Sequence, residues 1–296
     1  MITSLDAMAA SVPDGALVAL PPDNSLPSVA LARALVRRGA KGLRLLGVPV
    51  SGFATDLLIG AGCVAEVETS AVSLGEAGFA PRFTAALKAG AITVRDATCP
   101  AIHTMLQAAE KGVPFMPLRG LIGSDILAHR PDWRVLDNPF AEGGDPIVLL
   151  PAKQPDVAAI HGVMADEEGN VWVGRRRELA TLAHASKRVL VTVERMVKGS
   201  MLEDERLAPG CISATYVEAI AIAARGAHPV ALLDEYGFDA AHVSEYAKFA
   251  RTEAGFREYL DRYVFSEGGS DSRPAVLGAA APPPSDDPIR HRAAAE

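Results

Sequence analysis

The sequence has 296 residues, of which 49% are hydrophobic and 22% are charged, and its formal net charge at pH 7 is −7. A chain of this length can bury a substantial core, in one large domain or two small ones. The net negative charge argues against a general nucleic-acid-binding protein. Three cysteines that lie far apart, with no CxxC pair, indicate reduced thiols rather than disulfides or a zinc site, and no metal is predicted.

The N-terminal segment has no basic region followed by an apolar core, so no signal peptide is predicted. No apolar run approaches the roughly 20 residues that a membrane helix needs. We therefore expect a cytoplasmic protein that does not enter the membrane.

The chain begins with a predicted helix over 5–12 and then alternates apolar runs with amphipathic segments. Residues 16–20 and 43–48 are apolar runs that predict buried strands. Between them, residues 28–38 have their apolar side chains at helical spacing, and Gly39 follows as a helix stop. Strand, helix and strand with short connections form a βαβ unit and predict a parallel sheet.

The same alternation continues to residue 193. It predicts a short helix or turn at 56–62, helices at 81–89, 101–111 and 176–185, and strands at 71–74, 92–94, 146–150, 157–160, 171–173 and 189–193. A polar cluster containing Gly169 predicts a chain reversal between the strands at 157–160 and 171–173. The fold class is therefore predicted to be α/β, a mostly parallel sheet flanked by helices. We expect one domain over residues 1–265 and a disordered tail over 266–296, which is rich in Gly, Pro, Ser and Ala.

Several segments carry a family resemblance. They are IGAGC at 59–63, GVPFMPLRGLIGSDIL at 112–127, HGVMADEEGNVWV at 161–173, RVLVTVERMV at 188–197 and RGAHP at 225–229. In this order and at this spacing they resemble the α subunit of family I CoA-transferases, of the type found as the A subunit of glutaconate CoA-transferase. The resemblance covers residues 14–264 and implies the CoA-transferase-like fold.

The resemblance implies a function: the chain would be the α subunit of a heteromeric acyl-CoA:carboxylate CoA-transferase. In this family a glutamate attacks the acyl-CoA thioester, and a mixed anhydride and then a glutamyl-CoA thioester form. In two-subunit members that glutamate belongs to the β subunit, so we expect the chain to be inactive alone and to need a β subunit. Its substrates would be a coenzyme A thioester and a carboxylic acid, and no permanently bound cofactor is expected.

Candidate residues for the substrate and CoA pocket lie in two segments. Asn24 and Ser25 follow the first strand, and open α/β sheets bind ligands outside the carboxyl ends of their strands. Gly123, Ser124 and Asp125 are the second group, for which a helix start is the favoured interpretation because Ser and Asp are good N-caps. The first loop departs from the family, which often has a glycine-rich turn where this chain has PPDNS at 21–25.

Catalytic residues are not assigned within the chain, but two candidates remain. Relatives that act as ring-opening hydrolases carry a glutamate in a segment that resembles VRDATCPAI at 94–102, and our alignment places Cys99 at that position. A shift of register brings in Asp96 instead. Cys99 is a candidate nucleophile, but the favoured interpretation is that its thiol is buried and inert.

Other polar residues have structural interpretations. His161 and His228 each follow an apolar run and are predicted to be hydrogen-bonded structural residues. Glu194 is predicted to pair with Arg195 or Arg188. Two further functions stay open: a CoA-thioester hydrolase subunit of the ring-opening type, and a non-catalytic subunit that binds CoA esters or serves as a scaffold.

Overall fold

The computed structural model describes residues 2–232 and 234–266. Apart from Ser266, the predicted tail lies outside the described residues. The helices are α1 Leu5–Ala10, α2 Val29–Arg38, α3 Phe53–Gly60, α4 Pro81–Lys88, α5 Cys99–Glu110, α6 Arg177–Ala185, α7 Ala240–Phe249 and α8 Glu253–Leu260. The strands are β1 Leu17–Leu20, β2 Leu43–Gly47, β3 Val64–Thr69, β4 Thr93–Asp96, β5 Phe115–Leu118, β6 Arg134–Asp137, β7 Pro146–Pro151, β8 Val157–Asp166, β9 Val171–Trp172, β10 Val189–Val197, β11 Cys211–Ile212 and β12 Ala219–Ile222.

Seven parallel strands form the centre of the main sheet, in the order β12-β10-β8-β1-β2-β3-β4. Two short antiparallel strands extend it, because β9 pairs with the second half of β8 and β11 pairs with β9. The chain runs outward from β1 to β4 on one side, while β8, β10 and β12 lie on the other side. The strand order therefore reverses between β1 and β8.

A second, smaller sheet is antiparallel and has the order β5-β7-β6. It packs on α5, and its central strand contributes Val148 and Leu150 to the main hydrophobic core. None of the helices within residues 2–232 and 234–266 is long and apolar enough to span a bilayer.

The predicted fold class is confirmed, and most predicted elements lie where the pattern placed them. Gly39 ends α2 in the left-handed conformation, with a φ of 72°. The reversal near Gly169 is also confirmed: its φ is 94°, and β8 and β9 pair as a hairpin around it. The division of the chain at residues 265 and 266 stays a prediction.

The strand predicted at 71–74 is wrong. The strand in this region is β3, seven residues earlier, and its sequence VAEVET does not look like a buried strand because it contains Glu66 and Glu68. Glu68 is nevertheless buried, since its carboxylate lies 2.7 Å from Nη2 of Arg130 and 2.6 Å from Nζ of Lys153. Arg130 and Lys153, which are distant in the sequence, thus allow a segment with two glutamates to form a strand of the sheet. Strands β5 and β6 were not predicted either.

Candidate functional site at the carboxyl edge of the main sheet

The loop after β1 fills the crevice at which ligands bind in many open α/β sheets, the point where strand order reverses. The carbonyl of Leu26 accepts a 2.9 Å hydrogen bond from the amide of His161 in β8, and Pro27 forms a β-bridge with Ile160. Ser25 is buried and its hydroxyl donates to the carboxylate of Glu178 in α6. Of the two predicted pocket residues in this loop, Asn24 is exposed, while the hydroxyl of Ser25 is already engaged. The loop after β1 therefore covers the edge beside β8, and the other candidate residues follow β2, β3 and β4.

A carboxyl group that sequence reasoning missed, Asp23, lies in the same loop. The amide of Phe53, at the start of α3, donates to both carboxylate oxygens at 3.1 and 3.0 Å. Burial raises the pKa of Asp23 to about 6, and this hydrogen bond only partly offsets the effect. The signal in the sequence was an acidic residue in the loop after a buried strand, where parallel sheets often carry functional groups.

Hydroxyl and thiol groups follow the next three strands. Ser51, after β2, is 1% exposed, and its hydroxyl has no hydrogen-bond partner among the described residues. Ser70, after β3, donates its hydroxyl to the carbonyl of Pro49 at 3.0 Å, and its Oγ lies 3.3 Å from Sγ of Cys99. Cys99 is the first residue of α5, which begins after β4.

Cys99 is exposed, so the prediction of a buried thiol is wrong. Its segment leaves the sheet at the edge strand β4, and Thr98 caps the helix by accepting from the amide of Ala101 at 3.3 Å. The thiol therefore lies at the positive end of a 12-residue helix. Burial raises the pKa of each of the other two thiols, Cys63 and Cys211, to about 11.

The other predicted site residues lie close to β4. Asp96 ends that strand with an exposed side chain, and its carbonyl accepts a 2.9 Å hydrogen bond from Nη1 of Arg130. Gly123 has a φ of 81°, and the hydroxyl of Ser124 donates to the carbonyl of Leu121. Exposed Asp125 opens a 3₁₀ helix, Asp125–His129, which packs on β4. The structure thus brings Asp96, Cys99 and residues 123–125 to one side of the molecule, and leaves Asn24 and Ser25 in the loop after β1.

Glu194, in β10, is held by four hydrogen bonds. Its carboxylate accepts from Nε2 of His161 at 2.8 Å and the hydroxyl of Tyr236 at 2.9 Å, and from the amides of Arg225 and Gly226 at 2.7 and 3.2 Å. Burial alone would raise the pKa of Glu194, but these hydrogen bonds outweigh it and the pKa is lowered.

The predicted partners of Glu194 are therefore wrong. Arg195 pairs with Glu235 and Arg188 pairs with Glu218, each at 2.6 Å. Strand β10 points Glu194 inward and Arg195 outward, because successive side chains alternate between the faces of a sheet.

His161 and His228 are both hydrogen-bonded, as predicted, and their structural role stays a prediction. His161 is fully buried and its Nδ1 lies 2.8 Å from the hydroxyl of Thr192. His228 bonds through Nε2 to the carboxylate of Asp239 at 3.0 Å. Asp239 also accepts from the amide of His242, so this group anchors the first turn of α7.

Comparison with known proteins identifies the family. A family model for coenzyme A transferase matches residues 2–220. The chain belongs to the coenzyme A transferase family. The resemblance inferred from the sequence is thereby confirmed.

Among curated relatives, this member of the coenzyme A transferase family is 30% identical over 265 residues to the A subunit of glutaconate CoA-transferase from Acidaminococcus fermentans, covering 83% of this chain and 81% of that one. The crystal structure of that enzyme superposes with a TM-score of 0.83 at 26% identity, over 91% of this chain and 90% of the other. The IpdA subunit of the cholesterol ring-cleaving hydrolase from Rhodococcus jostii is 30% identical over 258 residues, covering 84% and 86% of the two chains.

A longer relative matches as well. An uncharacterized protein of Archaeoglobus fulgidus is 34% identical over 237 residues, which cover 78% of this chain but 51% of that protein. The chain therefore spans about half the length of this relative.

Proposed function

We propose that this chain is the α subunit of a heteromeric acyl-CoA:carboxylate CoA-transferase, and that the attacking glutamate belongs to a β subunit. The observation that carries the proposal is the similarity to the A subunit of glutaconate CoA-transferase, which extends over 83% of the chain. The cytoplasmic location expected from the sequence stays a prediction.

Two carboxylates at the sheet edge, Glu194 and Asp23, are poorly placed to attack a thioester, which supports an attacking group from outside the chain. A nucleophilic carboxylate must be ionised and able to reach a thioester carbonyl. Glu194 is ionised, but four hydrogen bonds hold it in place. Asp23 caps α3 through both oxygens, and burial disfavours its charged form.

The reaction would then proceed as two exchanges across the subunit boundary. The carboxylate that the β subunit supplies attacks the thioester carbonyl, the C–S bond breaks, and the CoA thiolate leaves a mixed anhydride. The thiolate attacks the carbonyl that belongs to the enzyme carboxylate, which releases the first acid and leaves an enzyme–CoA thioester. The acceptor acid reverses these steps and leaves as the new acyl-CoA.

This chain would contribute the surroundings of the reacting groups. The start of α5, with Cys99 and Ser70 beside it, offers a positive helix end and hydrogen-bond donors near developing negative charge. Asn24 and residues 123–125 would line the remainder of the pocket. The hydroxyl of Ser25 donates to the carboxylate of Glu178, so Ser25 would position Glu178 and would not contact the substrate.

A second candidate is the α subunit of a CoA-thioester hydrolase. It is favoured by the 30% identity to the IpdA subunit. Against it, Cys99 stands at the position where the family resemblance puts the hydrolase glutamate, so that carboxylate is missing from this segment. Hydrolysis would pass the acyl group to water and would need no acceptor acid.

One experiment separates these functions. The full chain is purified by a tag, and the β-subunit-like protein that accompanies it, here called the B-type companion, is identified by mass spectrometry and produced separately. Each protein is incubated with glutaryl-CoA, with and without acetate, and with acetyl-CoA, with and without glutarate. We expect no turnover by either protein alone. Together they should exchange CoA only when acid is present and leave a CoA adduct on a glutamate of the companion.

Each other outcome has a defined meaning. Robust transfer by the isolated chain would refute the division of the site between two chains. Loss of thioester without any acceptor acid would support the hydrolase. A complex that binds neither CoA ester in calorimetry would indicate the scaffolding role.

A further inference from the structure

The small antiparallel sheet is apolar on both faces. Residues directly opposite in neighbouring antiparallel strands point to the same face. Phe115 is opposite Pro151, and Leu136 is opposite Ile147. Together with Pro117 and Leu149, which are also opposite each other, these residues form one face, which we call the outer face.

The other face of this sheet is the one that packs inward. It carries Val148 and Leu150, both 0% exposed, and Leu118, which packs on the main core. An antiparallel sheet with one buried face normally presents polar side chains on the other. Here the outer face carries a single charged side chain, Arg134, which lies opposite Leu149.

Large apolar side chains are exposed on and around the outer face. Phe115 is 47% exposed and Leu136 is 39% exposed, while Phe140, in the loop joining β6 to β7, is 97% exposed. Val135, on the edge strand β6, is 53% exposed as well, although it lies opposite Val148 on the other face of the sheet. Large exposed apolar side chains on one sheet mark a surface that another protein covers.

The small sheet is tied to the same edge strand as the candidate site. Arg130 pairs with Glu68 of β3 at 2.7 Å and donates to the carbonyl of Asp96 in β4 at 2.9 Å. Lys153, two residues after β7, lies 2.6 Å from the other oxygen of Glu68. The sheet also packs on α5, which Cys99 begins, so the small sheet and the candidate site share this helix.

We propose that the outer face is the surface on which the B-type companion subunit docks. This inference rests on the proposed function. The choice of companion follows from chain length: the Archaeoglobus fulgidus relative is about twice as long as the part this chain matches, which leaves room for a second domain of similar size. The apolar character fits a permanent subunit interface, because such interfaces are more hydrophobic than transient ones.

The test uses full-length chains and matched variants. Phe115→Glu and Leu136→Lys place charges on the outer face, and Phe238→Glu is the control, since Phe238 is also 47% exposed but precedes α7. The Kd for the separately produced companion is measured by calorimetry. We expect the first two variants to raise the Kd at least about thirtyfold, as loss of a central interface residue does, and the control to change it less than about threefold.

Two further measurements sharpen the result. Thermal unfolding should match the parent for all three variants, because each altered side chain is already exposed. Hydrogen exchange of the β5 and β6 amides should slow in the complex.

The outcomes distinguish this inference from the proposed function. If an active complex forms and both outer-face variants bind as tightly as the parent, the docking surface is refuted while the transferase proposal stands. If no B-type companion binds or activates the chain, the proposed function falls. If the chain alone sediments as a dimer that Phe115→Glu dissociates, the outer face joins two copies and the inference is overturned.

Discussion

His161 and Glu194 form a hydrogen-bonded pair in which the imidazole is fully buried, with its Nε2 2.8 Å from Oε1 of the carboxylate. They lie on the neighbouring parallel strands β8 and β10, and they connect the sheet to the segment that carries Arg225, Gly226 and Tyr236. One carboxylate thus satisfies two backbone amides, a phenol and an imidazole. Its removal should therefore affect stability more than removal of an exposed carboxylate would.

Glu194→Gln tests this pair. The glutamine amide replaces one acceptor oxygen by a donor that faces other donors, so we expect a loss of about 2–4 kcal/mol in the free energy of unfolding at pH 7. Urea denaturation measures it. Glu235→Gln, which breaks the partly exposed pair with Arg195, is the control and should cost less than about 1 kcal/mol. If Glu194→Gln and Glu235→Gln lose the same free energy of unfolding, the hydrogen bonds to Glu194 contribute no more to stability than an exposed ion pair does.

The same variant predicts a pH dependence. The pKa of Glu194 in the folded chain is below its ordinary value of 4.5. The stabilisation by its charged form is therefore complete above that value and is lost as pH falls through the lower folded pKa. The difference between parent and Glu194→Gln should be constant from pH 6 to 8 and should shrink below pH 4.5. A difference that grows on acidification would contradict this assignment.

Gly226→Ala tests how closely the loop approaches His161. An added Cβ would lie 2.5 Å from Cε1 of His161 and 2.8 Å from the carbonyl oxygen of Ala223. Because both neighbours are fixed by the sheet and the loop, we expect a destabilisation of about 1–3 kcal/mol, measured as a fall in Tm. Gly237→Ala is the matched control, since a Cβ there meets no atom within 4 Å. Wild-type stability of Gly226→Ala would disprove the close approach.

Asp23→Asn tests the raised pKa in the first loop. The carboxyl has a pKa of about 6 in the folded chain and an ordinary value of 3.8, so the folded chain binds more protons between these values. Stability should fall as pH rises through that window. Asparagine keeps an oxygen for the amide of Phe53 and carries no charge, so the variant should be more stable than the parent above pH 6, by up to about 3 kcal/mol.

The control for this prediction is Asp145→Asn. The hydrogen bonds from Arg119 and Asn138 lower the pKa of Asp145 to about 2, so its neutralisation should not stabilise the chain at any pH. Chemical denaturation from pH 4 to 8 gives both curves. An Asp23→Asn variant less stable than the parent at pH 8 would refute the assignment.

Thiol chemistry should single out Cys99. It is exposed, whereas burial raises the pKa of Cys63 and Cys211 to about 11 and so suppresses their thiolates. Ellman's reagent at pH 7.5 should titrate one fast thiol in the native chain and all three cysteines in denaturant. Cys99→Ser should abolish the fast phase, while Cys63→Ser should leave it unchanged. Fast reaction of Cys99→Ser would show that another thiol is accessible.

The sequence predicted the elements that depend on neighbouring residues. The apolar runs of β1 and β2, the helical spacing of α2 and its stop at Gly39 are local patterns, and the structure confirms them. It did not predict β3, because nothing near Glu66 and Glu68 indicates that Arg130 will neutralise one of them across the fold. The predicted strand ended at residue 193, whereas β10 continues through Glu194 to Val197. Here too the neighbouring residues do not reveal the distant partners of the glutamate.

The candidate site was predicted in part. The loop after β1 and the segment containing Cys99 were both singled out, and both lie at the carboxyl edge of the sheet. The sequence did not indicate that Ser25 would bond to Glu178, that Cys99 would be exposed beside Ser70, or that Asp23 would lie half-buried at the start of α3. Each of these facts depends on the environment of a side chain and not on its position in a pattern.

By itself, then, the sequence determined the α/β architecture and the coenzyme A transferase family, because periodicity and ordered motifs are properties of the chain alone. Tertiary structure decided which charged groups are buried, which thiol is exposed to solvent and which apolar face of the small sheet is exposed. Those outcomes arise from packing between segments tens to hundreds of residues apart, such as Arg130 on Glu68 and Phe115 opposite Pro151. Burial and electrostatic partners are set by that packing, and they in turn set pKa, reactivity and exposed apolar surface.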